Sequence, residues 1–123
     1  ELDKDLQTTA LRECYEEIVI EKNIELIGQL TPIYIPVSKF MVNPFIAVLN
    51  DNEITYKINS LEVKNIIELP LNDLLRPEII KQTVVEPRPG MKLKTPYFDV
   101  QGKIVWGATA MILNEFEHLL LKL

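Results

Sequence analysis

A single cysteine, Cys14, and a single histidine, His118, serve the whole chain, and their scarcity removes several chemistries at once. One thiol makes no internal disulfide, and one thiol with one imidazole does not supply the ligand set of a zinc site. With no histidine near them in sequence, the hydroxyls of Thr31 and Ser38 lack the base a covalent nucleophile needs. His118 follows Glu117 in a helical stretch, where a lone imidazole is expected at the surface rather than in catalysis. No apolar run reaches the roughly eighteen residues of a membrane span, and no basic-then-apolar segment opens the chain. Cations are also in deficit. Thirteen Lys and Arg stand against eighteen Asp and Glu, a net charge of −5, which argues against a nucleic-acid backbone as partner. An acidic chain can still bind phosphates through a metal. A reducing cytoplasm suits this composition, and there is no internal repeat or low-complexity segment.

What is present is ordinary for one globular domain spanning 1–123, with 47% apolar and 25% charged residues. The best-patterned stretch is Leu6 to Ile20. Leu6, Ala10, Leu11, Cys14 and Ile18 recur at helical spacing and predict a buried stripe, on which Cys14 is an inert thiol. Asp3 or Asp5 caps its start. Glu13, Glu16 and Glu17 fall on another face. There the like charges Glu13–Glu17 and Glu17–Glu21 each cost roughly 0.2–0.5 kcal/mol, and Arg12–Glu16 is the favourable pair. Clustered carboxylates suit a hard divalent cation; a bare Glu-x-x-Glu-Glu is more often a solvated face.

Arg12-Glu13-Cys14-Tyr15-Glu16-Glu17-Ile18-Val19-Ile20 resembles the second half of the Nudix box, Arg-Glu-apolar-x-Glu-Glu-x-Gly-apolar, with Val19 in the glycine position. Asp3-Lys4-Asp5-Leu6, Thr9 to Glu13, Leu30-Thr31-Pro32, Pro36-Val37-Ser38 and Trp106 to Ala110 extend the resemblance to the coenzyme A pyrophosphatase branch of Nudix hydrolases. The first half of the box, a glycine-rich loop, and the strands before it are expected upstream of Glu1.

The resemblance implies a Nudix fold, a mixed sheet between helices. It also implies metal-dependent hydrolysis of the diphosphate of coenzyme A or acyl-coenzyme A. Glu13, Glu16 and Glu17 would hold Mg²⁺ or Mn²⁺, Arg12 would orient them, and Glu62 is a candidate further carboxylate. Tyr34, Ser38 and Trp106 are candidate substrate contacts, and Phe40 is expected in the core. Two alternatives stay open: a Nudix hydrolase for another nucleoside diphosphate derivative, and a binding or regulatory module without turnover, which Val19 favours because a β-branched residue resists the positive φ of a tight helix end. A homodimer could form through Phe40 to Leu49 or Leu119-Leu120-Leu121.

Along the chain, Ile24 to Leu30 predicts a strand, and the prolines around Ile33-Tyr34-Ile35 predict an edge strand or extended loop. Phe40 to Leu49 is β-like but interrupted at Pro44. Asp51-Asn52 is a turn, Ile54 to Ile58 a strand, Asn59-Ser60 a loop and Val63 to Leu69 a strand. Leu71 to Leu75 is one helical turn, and Pro77 opens another through Ile80. Thr83 to Pro96, with four breakers, predicts a long loop. Gln101-Gly102 predicts a hairpin turn, and Met111, Ile112, Phe116, Leu119, Leu120 and Leu123 the apolar face of a last helix. The class is α/β or α+β.

Overall fold

The computed structural model describes residues 5–18, 24–49 and 66–123. The chain divides into two compact units, Glu1–Ile66 and Ile67–Leu123.

In the first unit, α1 (Leu6–Ile18) starts where the sequence places its cap. Asp5 Oδ1 accepts a hydrogen bond from the Thr8 N–H at 2.8 Å, which satisfies a donor the helix itself leaves free. Ala10, Leu11 and Cys14 are half-buried, while Leu6 at the start of the stripe stays exposed. The predicted extension to Ile20, the side chain of Ile18 and a capping role for Asp3 lie outside the described residues. β1 (Ile24–Gln29) pairs antiparallel with β4 (Phe45–Leu49), with a register shift between Leu26 and Gly28. β2 (Ile33–Ile35) and β3 (Phe40–Val42) form a small hairpin closed by residues 36–39, where Lys39 takes a φ of 61°. Asn43-Pro44 separates β3 from β4, as the interrupted run predicts, and the Pro44 carbonyl accepts from Leu30 N–H at 2.9 Å. Phe40 corrects the expectation of a core aromatic: it is 69% exposed, because a two-stranded hairpin has no second layer of its own to cover it.

Residues 66–70 form no regular element, which corrects the C-terminal part of the strand predicted over Val63 to Leu69; the elements that follow belong to the second unit. The remainder of that strand, and the turn, strand and loop predicted between Asp51 and Ser60, lie outside the described residues. α2 (Leu71–Leu74) is the predicted single turn, and a 3-10 turn, Pro77–Ile79, has proline at its first position. β5 (Ile80–Arg88), β6 (Met91–Val100) and β7 (Lys103–Val105) form an antiparallel sheet in that order.

The β5–β6 hairpin occupies the predicted long loop Thr83 to Pro96, and each breaker has a place in it. Pro87 falls in the register shift between Val85 and Arg88, on a strand that is an edge of the described sheet, where no ladder donor is needed. Pro89-Gly90 is the turn, with Gly90 at a φ of 81° that an L side chain resists. Pro96 lies beyond the reach of β7, which pairs only with Phe98 to Val100.

Gln101-Gly102 makes the predicted second turn, with φ values of 54° and 82°. Leu74, Ile79, Phe98 and Val100 form the buried core, and α3 (Ala108–Leu121) packs Ala110, Leu113, Phe116 and Leu120 against it. The packed stripe is therefore displaced from the predicted one. Met111 and Leu119 stay exposed, and Leu123 lies past the helix, fully exposed. Helices with antiparallel sheets make the class α+β, consistent with a Nudix fold. No helix among the described residues is long and apolar enough to cross a membrane.

Candidate functional site

Helical spacing brings the charged groups of α1 together. Residues three and four apart share a side of the helix, which brings Glu16 to Arg12, and the long Arg12 side chain also comes near the adjacent Glu13. Its Nη1 donates to Glu16 Oε1 at 3.0 Å, and its Nη2 lies 3.7 Å from Glu13 Oε1. All three side chains are about half exposed, so the i,i+4 pair contributes only about 0.3–0.5 kcal/mol. The planar guanidinium lies between two carboxylates that would otherwise repel. Glu17 is exposed on the same helix. Beside it Cys14 is half-buried, and burial first, then the Glu17 charge, pushes its thiol pKa up. The thiol is therefore kept protonated, as the inert reading requires. Next to the acidic face, Thr8, Leu11, Arg12, Tyr15 and Glu16 line an open hollow of about 460 Å³.

Among the described residues no three carboxylate, imidazole or thiol groups form a set that could hold a metal ion. The donors on α1 fit a hard divalent cation in kind, because Mg²⁺ takes carboxylate oxygens, keeps several waters and completes its shell with substrate phosphates. Glu13, Glu16 and Glu17 thus offer an open acidic face rather than a closed cage.

The other residues singled out in the sequence fall on different elements. Tyr34 lies on β2, 54% exposed, and Ser38 sits in the turn beyond it, its Oγ accepting from the Phe40 N–H at 3.4 Å. Trp106, 37% exposed, belongs to the second unit, between β7 and α3. Glu62 lies outside the described residues. His118 is at the surface as expected, its Nδ1 2.7 Å from the Asn114 carbonyl one turn earlier.

The structure adds a cleft of about 340 Å³ in the second unit that was not expected from the sequence, lined by Leu69, Asp73, Arg76, Lys81, Asp99 and Gln101 among others. Lys81 Nζ donates to Asp99 Oδ2, and Asp99 Oδ1 accepts from Gly102 N–H at 3.0 Å. The Lys81 hydrogen bond and charge hold the Asp99 carboxyl below its ordinary range, and Asp99 in turn raises the Lys81 pKa. These partners are eighteen residues apart and meet only because β5 and β6 pair, so the sole sequence signal was alternation on two strands hidden by prolines.

Over 113 residues, 91% of its length, the chain is 33% identical to an uncharacterized Nudix hydrolase NudL of Yersinia enterocolitica, covering 56% of that protein. It is 29% identical to proteins of the same name from Pectobacterium atrosepticum, over 92% of the chain and 58% of the relative, and from Yersinia pestis, over 91% and 55%. The chain thus spans little more than half the length of these curated relatives. No family model matches it, and no solved structure does. The chain in which Arg12, Glu13 and Glu16 join on one helix is thus similar, over nine-tenths of its length, to proteins named Nudix hydrolases.

Proposed function

We propose that the protein to which this chain belongs is a metal-dependent Nudix pyrophosphohydrolase, and that its substrate is coenzyme A or an acyl-coenzyme A. The observation that carries the reading is α1, where Arg12 bridges Glu13 and Glu16 on the helix that also exposes Glu17, in a chain similar to proteins named Nudix hydrolases. Glu13, Glu16 and Glu17 would hold Mg²⁺ or Mn²⁺. When bound, the ion would neutralise the diphosphate, polarise phosphorus and acidify a water.

The chain's own residues supply the rest. Arg12 keeps the carboxylates in fixed rotamers, and a carboxylate of this face, or Glu62, takes the proton of the attacking water on its oxygen. Water adds to one phosphorus and the bridging P–O bond breaks, giving 4′-phosphopantetheine and 3′,5′-ADP. Tyr34, Ser38 and Trp106 are proposed substrate contacts; the two aromatics are exposed enough to offer ring faces. Chain 1–123 is read as part of one Nudix domain, acting in the cytoplasm on a small molecule. Exposed apolar residues at both surfaces named above, Phe40, Met41 and Val48 and then Leu119 and Leu121, are where a homodimer would form.

The test is hydrolysis by the full-length protein with Mg²⁺ or Mn²⁺ of coenzyme A, NADH, ADP-ribose and 8-oxo-dGTP. Preferred cleavage of coenzyme A is expected. Preference for another compound transfers the reading to a different nucleoside diphosphate derivative, and tight binding of coenzyme A without turnover at any metal concentration replaces it with the non-catalytic module that Val19 favours.

A further inference from the structure

The charge of this acidic chain is unevenly placed. From Ile80 to Phe98 the β5–β6 hairpin carries Lys81, Arg88, Lys92 and Lys94 against Glu86 as its one carboxylate. Lys81 is committed to Asp99, and the Glu86 carboxylate is folded back to accept from Gly90 N–H at 2.9 Å. Arg88, Lys92 and Lys94 are exposed, and their side chains have no ion pair or hydrogen bond among the described residues. In a chain with more carboxylates than cations, these three neighbouring cations have no ion pair among the described residues and outweigh the single Glu86 carboxylate on the ribbon.

Their placement is ordered. Lys92 and Lys94 are two apart on β6 and therefore share a face, with Val84, opposite Lys94 and 60% exposed, beside them. Arg88 stands at the turn, opposite Met91. The paired backbone fixes where these stems begin, so less chain entropy is lost when the ammonium groups converge on a ligand than in a loose loop.

We infer that the outer half of the β5–β6 hairpin is a phosphate-binding arm, with Lys92 and Lys94 as anchoring cations and Arg88 at its tip, for a small molecule carrying a diphosphate. The inference takes its ligand class from the diphosphate reading above. Charge complementarity supports it: an acidic surface repels a polyanion at distance, and a local positive arm offsets this and steers the anion to one place. A flexible ammonium suits phosphate as a point charge without demanding one geometry.

The experiment is titration of the full-length protein with inorganic pyrophosphate in a metal chelator, by calorimetry and by backbone amide shifts. Binding that weakens steeply with salt is expected, along with shifts at Val84 and Lys92 to Lys94. Affinity should fall about tenfold in the Lys92→Gln/Lys94→Gln variant and stay unchanged in Lys122→Gln. If the double variant does not fold, the wild-type shift map still decides. No binding, unchanged affinity in the double variant, or shifts confined elsewhere overturns the inference. So does a salt-sensitive self-association that the double variant loses while pyrophosphate affinity is kept, which would assign the arm to a second copy. Because no metal is present and no turnover is read, the arm can hold while the hydrolase reading fails, and the reverse.

Discussion

At the scale of single residues, Asp99 gives the clearest dependence on pH. Its carboxyl is held below its ordinary range chiefly by the Lys81 hydrogen bond and further by the Gly102 N–H, so the folded state binds its proton more weakly than the unfolded one. The stabilisation is present above the ordinary carboxyl value and is lost as pH falls through the lower folded value. Acid melts should show wild type losing stability below about pH 4 more steeply than Asp99→Asn; parallel curves would mean that the pair adds nothing. Lys81 has the opposite sign, its contribution being lost as pH rises through its raised value. Glu17 answers a different question. If the α1 face holds a cation, saturating Mg²⁺ should raise the melting temperature of wild type by mass action. In Glu17→Gln that rise should shrink, while the metal-free protein should gain a few tenths of a kcal/mol as the Glu13–Glu17 repulsion goes, about the size of one like-charge pair. An equal metal response in both proteins would remove Glu17 from the ligand set.

At the scale of elements, the cap of α1 and the turn of the β5–β6 hairpin can each be broken by one change. Asp5→Ala should cost about 1 kcal/mol of helix stability, visible as lower helicity and earlier amide exchange in the first turn. Gly90→Ala should cost about 1 kcal/mol, because its φ of 81° penalises a Cβ although nothing crowds the position; denaturant midpoints would show it.

Local signals made much of this legible beforehand. Asp5 before an amphipathic run, Pro77 at the start of a turn, Gln101-Gly102 between apolar segments and Arg12 four residues before Glu16 all act within a few residues of themselves. The misread segments depend on distant partners. Pro87, Pro89 and Pro96 spell a loop until β5 proves to be an edge and the register shifts at Pro87. Met111 and Leu113 are equally apolar neighbours on a helix, and only packing against Phe98 and Val100 decides that Leu113 faces inward. Within the candidate site the same division holds. The Arg12–Glu16 link was visible in its spacing, whereas what surrounds Tyr34, Ser38 and Trp106 is set by tertiary structure.

At the scale of the whole molecule, the described core of the second unit is a four-residue cluster whose members carry unequal weight. Phe98, 3% exposed, joins the sheet to α3, and Phe98→Ala should cost roughly 3–5 kcal/mol, a large share of the about 5–15 kcal/mol a typical domain has; loss of the cooperative melt in the second unit would show it. Light scattering giving twice the chain mass is the outcome expected of the proposed homodimer, and a monomer mass at working concentration removes it. The edge strand bears on association of another kind. Along the nine residues of β5, alternate residues turn main-chain donors and acceptors to a side unpaired within the described sheet, and such an edge templates strand-to-strand growth between molecules. Pro87 and the register shift beside it interrupt that template by removing a donor and twisting the strand. The proline that disguised this segment as a loop thus acts as a gatekeeper for solubility: Pro87→Val should leave the hairpin paired and shorten the time before concentrated protein turns turbid.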